Sequence, residues 1–482
     1  MYIIFDTETT GLPKRWDAPI TDTDNWPRCI QIAWQLHDAM GNLIEHQDYL
    51  IKPDGFNIPF DSEKIHGIST ELATEQGVAL TEVLVKFNEA LAKAKFVVGQ
   101  NIGFDINIMG AEFYRYGVDS GMSSMSVLDT CTEVTADLLK LPGGRGGRYK
   151  LPTLTELHAY LFGVPFAEAH NATADVEATT RCFFELVRRE VFTPEDLQVD
   201  TGYFVDFKQQ NPTVIPTVGL QHINLKAASD AIRHRDKEET VVKIDAETLK
   251  ALQEANFAHL HNHSQFSVLQ STISIGDLVA AAAKHQMPAV ALTDHGNMMG
   301  AFHFVSRVLG YNKEVEAKNK EAIEKGEEPT GQIIKPIVGC EFFVCEDRKD
   351  KTRKDNGYQV VFLAKNKAGY HNLAKMASVA YTEGFYYVPR IDKSIVEQYK
   401  ENLIVLSGNL QGEIPNKVLN IGENQAEEAL IWWKEQFAED FYMEIMRHGQ
   451  EDENRVNDTL ISLARKHNVK LIATNNTYYV NK

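Results

Sequence analysis

The chain opens MYIIFDTETTG, Met1 to Gly11, with the apolar run Tyr2 to Phe5 leading straight into carboxylates at Asp6 and Glu8. Read as a strand, this stretch alternates its side chains between two faces, so Asp6 and Glu8 point to the same side. Two anions pushed together call for a cation between them. The rhythm continues outward through CIQIAWQL from Cys29, KFVVGQ from Lys95 and the amphipathic TRCFFELVRRE from Thr180. Strands and helices in this order over residues 1–190 read as an α/β domain on a mixed sheet.

D-x-E alone is a common surface pattern, and two further motifs single this one out. GQNIGFDINIMGAEF, Gly99 to Phe113, sets Asp105 inside an apolar helical pattern, where an unpaired charge is expensive to bury. HNATADVEATTRCFFEL, His170 to Leu186, puts His170 just before a helix that Asn171 caps, with Asp175 in its first turn. Asp6, Glu8, Asp105 and Asp175 can together bind two hard divalent cations roughly 4 Å apart, the arrangement that clamps the attacking and leaving oxygens in phosphodiester hydrolysis. His170 can then deprotonate the attacking water. A lone histidine at such a position can equally cap the helix or fill the core.

Composition bounds the reading. The chain has 482 residues, enough for two to four domains, with 43% hydrophobic and 24% charged residues, the mix of an ordinary globular protein. No apolar run approaches the roughly 20 residues of a spanning helix, and Met1 onward does not read as a signal peptide. The five scattered cysteines lack C-x-x-C spacing and read as reduced thiols, so the expected setting is cytoplasmic, away from membranes. A net charge of -18 excludes binding nucleic acid mainly through phosphate neutralisation; any contact with it must be local.

The three motifs, in this order, resemble the DEDDh exonucleases related to the proofreading subunit of bacterial DNA polymerase III. That resemblance implies a ribonuclease H-like mixed sheet and two Mg²⁺ or Mn²⁺ ions held by Asp6, Glu8, Asp105 and Asp175. It also implies catalysis with His170, and 3′→5′ removal of nucleoside monophosphates from single-stranded DNA ends. The segment EKIHGIS, Glu63 to Thr70 less its last residue, lies in that family by the substrate's 3′ end, which makes Ile65 and His66 candidates for stacking on or wedging terminal bases. Thr7 and Asn101 join them as implied substrate contacts. Gln100 departs from the family, where many relatives have histidine, and leaves the metal ligands untouched. LPGGRGGRYKLP, Leu141 to Pro152, carries Arg145, Arg148 and Lys150 on a glycine-rich loop that reads equally as a DNA guide or a surface turn.

Residues 191–256 loosen in pattern, and QQNPTVIPTVG reads as an extended connector. From Phe257 a second alternation of strands and helices, starting with FAHLHNHS, suggests a barrel-like α/β domain over 257–482. Lys313 to Pro329 is a charged helical insert expected to be solvated. HLHNHSQFSVL, ALTDHGNMMGA, KPIVGCEFF, GFYYVPRIDK, IVLSGNLQGEIP and LIATNNTYYV resemble, in order, the PHP (polymerase and histidinol phosphatase) domain, a distorted β/α barrel, of bacterial DNA polymerase III α subunits. Of the metal ligands this implies, His261, His263, His295, Glu341 and His448 are present. Gln270, Gln359, Asn476 and Tyr478 stand where metal-loaded relatives have aspartate or histidine, and neutral amides are poor substitutes. A multinuclear centre is therefore not expected here; the remaining five could hold one zinc in tetrahedral geometry, but they are read instead as hydrogen-bonded residues at strand ends, with no zinc expected in this domain.

The resemblance implies the N-terminal part of a longer polymerase α subunit with its own fused proofreader. It is not expected to synthesise DNA by itself, and its implied partners are single-stranded 3′ ends, the remaining polymerase domains and a sliding clamp. The rival reading is a non-catalytic scaffold of the replicase; an exonuclease preferring RNA ends is a third.

Overall fold

The computed structural model describes residues 1–166, 170–220, 223–235, 245–329 and 331–480, except the side chains of Arg145, His234 and residues 252–254. The chain divides into two units, Met1–Thr240 and Val241–Lys482.

The first unit is organised by the two faces of one strand. β1 (Tyr2–Thr9) is central in a five-stranded sheet with β2 (Cys29–His37), β3 (Leu43–Leu50), β4 (Phe96–Gly99) and β5 (Ser126–Asp129), in the order β3-β2-β1-β4-β5. β1 pairs antiparallel with β2 and parallel with β4, so the sheet is mixed. Ile3 and Phe5 join one core with Phe87 of α1 (Leu80–Lys93) and Ile108 of α2 (Gly103–Arg115). Tyr2 and Ile4 join another with Phe183 and Val187 of α3 (Ala172–Arg188). Burial on both faces is why YIIF is continuously apolar rather than alternating. The pairing register shifts between Glu8 and Thr9, where β1 leaves the sheet.

The connector expected over residues 191–256 does not begin at 191. Leu197, Tyr203, Phe204, Phe207 and Ile215 are all buried in the core beneath α3. Tyr203 donates from its hydroxyl to the Ala39 carbonyl (2.6 Å), and Arg181 Nε donates to the Ile215 carbonyl (2.8 Å). Further on, α4 (Leu225–Arg235) places Leu225 beside Ile68 and Leu72, and Ser229 Oγ donates to the Gly67 carbonyl (2.7 Å). Prolines 212 and 216 gave this stretch the look of a linker; the apolar spacing of Tyr203, Phe204 and Phe207 on one helical face is what binds it to the sheet.

The second unit carries a curled sheet in the order β12-β11-β10-β8-β7-β6, with β9 on β7. Its strands are β6 (Ala289–Leu292), β7 (Lys335–Cys345), β8 (Tyr358–Ala364), β9 (Arg390–Asp392), β10 (Leu403–Leu406), β11 (Phe441–Ile445) and β12 (Lys470–Ala473). FAHLHNHS, expected as a strand, makes only an isolated bridge from Asn262 to Thr477. Its backbone groups are shared out: Ala291 N donates to the His259 carbonyl (2.9 Å), Thr293 N to the Asn262 carbonyl (2.9 Å) and His263 N to the Thr477 carbonyl (2.9 Å). The segment thus lies between β6 and the stretch after β12 without a full ladder to either. The charged insert is the solvent-exposed end of the helix Ala301–Glu324, held down by buried Val315. All five cysteines are free, and among the described residues no helix is long and apolar enough to cross a membrane.

Phe207→Ala removes a fully buried ring from the core under α3 and is expected to destabilise the first unit by about 3–5 kcal/mol. Hydrogen exchange should show faster opening of α3 with the second unit unchanged; unchanged protection of α3 would mean the 203–210 helix is not integral to this unit.

Candidate active site

Three elements of the first unit deliver four carboxylates to one place. Asp6 and Glu8 come from the end of β1, while Asp105 and Asp175 each occupy the first turn of their helices, α2 and α3. Free N–H groups make a helix's first turn a favourable place for an anion. Thr7 faces the opposite side of β1 from Asp6 and Glu8, and its N and Oγ1 both donate to Asp105 Oδ1 (3.0 and 2.6 Å). The implied substrate contact of Thr7 is therefore, in its side chain, a tether for Asp105. Asn171 caps α3 by accepting from Thr173 N (3.1 Å), and His170 N donates to Asp175 Oδ2 (3.0 Å). His170 has φ 71°, a left-handed conformation that costs a side-chain-bearing residue of order 1 kcal/mol, and its ring is exposed. Ligand atoms of Glu8, His170 and Asp175 all lie within 4.8 Å of one another.

Among the described residues no lysine or arginine is paired with any of the four carboxylates. Burial pushes Asp6 well above the usual carboxylate range, and the charges of Asp105, Asp175 and Glu8 push the same way. Burial, then Asp175 and Asp105, raise Glu8 to about 8. Burial raises Asp105 to about 7 against the opposing Thr7 hydrogen bonds, and raises Asp175 to about 7 against the His170 N–H. Anions so arranged are relieved only by protons or by cations from outside the chain. A set of hard oxygen donors with no internal counter-charge fits divalent metal ions.

The surrounding residues divide. Ile65 is exposed beside the site's helix Phe60–His66, as a base contact requires, but His66 is buried and presents no ring face to stack on a base. Its Nδ1 accepts from Ile68 N (3.0 Å) and its Nε2 has no partner; burial first, then His170, lower its pKa to about 4. The ring is thus neutral, with its proton on the unpartnered Nε2. Asn101 is exposed with φ 56°, its N held by Asp129 Oδ1 (2.8 Å). Gln100 is tied to the Pro152 carbonyl (2.8 Å). Of the glycine-loop cations, Arg148 pairs with Glu133 and Lys150 with Glu156 (2.6 Å), while the Arg145 side chain lies outside the described residues. Sequence reasoning missed Asp129, whose two oxygens hold the N–H groups of Asn101 and Ile102 at the entry to α2. Its only local signal is a carboxylate at the end of an apolar strand.

The second unit gathers some of its expected ligands and disperses others. His261, His263 and Glu341 offer ligand atoms within 4.8 Å of one another, and His295 Nδ1 stands 2.7 Å from Glu341 Oε2. His448 is diverted: its Nδ1 meets Glu453 Oε1 (2.5 Å) and its Nε2 the Asn475 carbonyl (3.0 Å). Asn476 Oδ1 sits 2.8 Å from His263 Nε2, and Tyr478 OH 3.1 Å from His295 Nε2. Tyr478 also stacks on His263 with centroids 4.5 Å apart. Gln270 is exposed, and Gln359 Oε1 accepts from Asn409 Nδ2 (2.9 Å). The residue missed here is Glu444, buried in β11, whose Oε1 is 2.8 Å from His261 Nδ1. Burial alone disfavours a charged His261, yet Glu444 and Glu341 on its two sides raise it to about 10. Burial likewise disfavours an ionised Glu341, and His261 and His295 hold it well below the usual range nonetheless. Here the chain supplies its own counter-charges.

Residues 3–183 match the family model described as Exonuclease (RNase_T), and residues 259–448 match the PHP domain model. The chain is 39% identical over 232 residues to DNA polymerase III subunit alpha of Borreliella burgdorferi, covering 47% of this chain and 18% of that protein. With the subunit of the same name from Thermus aquaticus it shares 38% identity over 233 residues, 47% of this chain and 17% of that one. The chain thus spans under a fifth of the length of these relatives. A crystal structure of E. coli exonuclease I with single-stranded DNA and zinc superposes with a TM-score of 0.32 at 22% identity, covering 41% of this chain and 42% of that one, too loosely for side chains to be compared.

Two predictions follow the charges. The carboxylates' folded pKa values lie above their unfolded ones near 4, so in metal-free protein their stabilising effect is complete only below about pH 4 and is lost as pH rises through 7 to 8. Asp105→Asn keeps an acceptor for Thr7 and should raise the metal-free melting temperature at pH 8 while changing it little at pH 4, each tenfold in proton affinity being worth about 1.4 kcal/mol. An equal effect at both pH values would rule out the ionised, buried carboxylate as the cause. In the second unit, His261→Ala leaves Glu341 and Glu444 buried without their cation and should cost about 3–5 kcal/mol, read by urea denaturation.

Proposed function

With an exonuclease-family domain over residues 3–183 and a PHP domain over 259–448, we propose that this chain is a metal-dependent 3′→5′ exonuclease acting on single-stranded DNA ends. The second unit serves as a scaffold without hydrolytic activity, and the whole is the N-terminal part of a DNA polymerase III α subunit that carries its own proofreader. The observation that carries the reading is the meeting of Asp6, Glu8, Asp105 and Asp175 beside an exposed His170, with no lysine or arginine paired to them among the described residues.

Asp6, Glu8, Asp105 and Asp175 are the residues that would hold Mg²⁺ or Mn²⁺. Two such ions, when bound, supply the Lewis acidity that activates water and stabilises the leaving oxygen of a phosphodiester. The chain's own residues do the rest. Thr7 fixes Asp105 through two donors to one oxygen, leaving Asp105 Oδ2 for a ligand. His170 is anchored by its backbone N–H to Asp175 and keeps its imidazole at the surface, where it can take a proton from the attacking water. Ile65 offers an exposed apolar contact to the last base.

The scaffold reading of the second unit is supported by ion-pair distances among its would-be ligands, although His261 Nε2, His295 Nδ1 and both oxygens of Glu341 are buried without a hydrogen bond. Each nitrogen of His261 faces a carboxylate, and Asn476 and Tyr478 occupy the outer nitrogens of His263 and His295.

Digestion of 3′-labelled single-stranded DNA with Mg²⁺ is expected to release mononucleotides, to stop with chelator and to resume on adding metal back. Asp6→Ala should abolish it, and His170→Ala should lower kcat by about 10²–10⁴-fold. His261→Ala, assayed where the chain remains folded, should leave it unchanged. An inert wild type sinks the exonuclease reading, loss only in His261→Ala moves the chemistry to the second unit, and faster digestion of a matched RNA strand makes RNA the substrate.

A further inference from the structure

The loop between β1 and β2 is long, irregular and firmly tied. Its neck is closed by Thr10 N to the Arg28 carbonyl (3.0 Å) and Arg28 N to Thr10 Oγ1 (2.9 Å). Asn25 grips both backbone groups of Arg15, accepting from its N (2.7 Å) and donating to its carbonyl (3.0 Å). Arg115, from the far end of α2, donates to the carbonyls of Thr23 and Trp26 (2.5 Å each). The loop's other tryptophan, Trp26, is 3% exposed and donates from Nε1 to the Pro19 carbonyl (3.1 Å), while Leu12 and Ile20 of the same loop are exposed.

At its tip the same loop holds Trp16 60% exposed. The indole touches the Phe104 ring, centroids 5.9 Å apart and planes at 51°, and leaves most of its own surface in solvent. Phe104 precedes Asp105 in the first turn of α2, so the backbone turn that carries this ring also carries one of the four carboxylates. Lys14 and Arg15 precede Trp16, both exposed; Arg15 makes only a surface contact with Asp17 (3.4 Å). A loop anchored at so many points along its backbone presents an indole rather than hiding it. In a chain of net charge -18, a nucleic-acid strand is gripped by local cations and by stacking, and an aromatic face with Lys14 and Arg15 before it and a single carboxylate, Asp17, after it offers both.

We propose that Trp16, backed by Phe104 and flanked by Lys14 and Arg15, is a stacking platform for an unpaired nucleobase of the substrate strand, and so a determinant of preference for single-stranded ends. This rests on the exonuclease reading. Trp16 is a positioning residue that touches the strand away from the scissile bond, so its loss should act on oligonucleotide binding and not on the hydrolytic step.

The test compares wild type, Trp16→Ala and Trp16→Phe on two substrates, single-stranded oligothymidylate and the p-nitrophenyl ester of thymidine 5′-monophosphate, which has only one base. Trp16→Ala should raise KM for the oligonucleotide about 10-fold, within the range that one base stacked on an aromatic ring is worth, with kcat and hydrolysis of the ester unchanged. Trp16→Phe should restore most of the loss. In chelator, oligothymidylate should quench wild-type tryptophan fluorescence and quench Trp16→Phe far less. Unchanged oligonucleotide KM in Trp16→Ala overturns the proposal, as does equal loss on both substrates with a lowered melting temperature, which marks a packing role. If wild type hydrolyses neither substrate, the exonuclease reading falls, and the quenching titration alone decides whether Trp16 meets a base.

Discussion

Four carboxylates crowded together, Asp105 buried and Asp6, Glu8 and Asp175 half-buried, repel one another, and the first unit is built around holding them there. β1 is anchored by apolar side chains on both faces, so its end cannot swing away to relieve Asp6 and Glu8. Asp105 cannot rotate off without giving up two hydrogen bonds from Thr7, and Asp175 is fixed by the His170 N–H. Each tether engages one oxygen and leaves the other unspent. The apolar core, of which Phe87 and Phe183 are fully buried members, supplies the rigidity against which this repulsion is stored. The same rigidity keeps an oxygen cage open for cations without reorganisation when they arrive.

The second unit faces a comparable problem and resolves it the opposite way. Glu341 and Glu444 are as deeply buried as any group in the chain, but His261 stands between them at 3.3 and 2.8 Å and the raised proton affinity keeps it charged. A buried ion set of this kind contributes little net stability while making removal of any one member costly. Its consequence is functional rather than energetic. A metal entering this pocket must displace the His261 proton and the contacts of Asn476 and Tyr478, whereas in the first unit it displaces nothing but protons from repelling carboxylates. Two clusters with similar residue types therefore differ in what they ask of a cation, and the difference is set by which charges the chain itself provides.

That contrast also explains what was legible before the fold was known. Asp6, Glu8, Asp105 and Asp175 are each conspicuous because each interrupts or ends an apolar run, and an unexplained charge there is expensive. The mixed sheet followed from the length and spacing of the runs around them. Residues whose role depends on a distant partner carried no such mark. Asp129 serves amides 28 residues away, and Glu444 serves a histidine 183 residues away. Arg148 and Lys150 read as free cations on a flexible loop, yet each has an acidic neighbour that only folding brings near. The 191–235 stretch misled for a related reason: its prolines are local signals of extension, while the burial of Phe207 is a property of the sheet it lands on. His66, read as a candidate for stacking on or wedging terminal bases, is buried, because burial depth along a seven-residue helix is not written in its sequence.

The acidic balance of the chain ties these pieces together. A net charge of -18 sets a long-range field that opposes a phosphodiester strand, and the carboxylate cluster adds to it locally until cations arrive. Association must then draw on contacts that outlast screening by salt and do not depend on the overall field. Exposed apolar and aromatic side chains beside the cluster, Ile65 on one helix and Trp16 on the anchored loop, are contacts of that kind. They act on bases, which are available only where a strand is unpaired. On the proposed function, a site that repels backbones at a distance and rewards bare bases at close range would select frayed ends over duplex by the balance of these two terms, without any element that reads sequence.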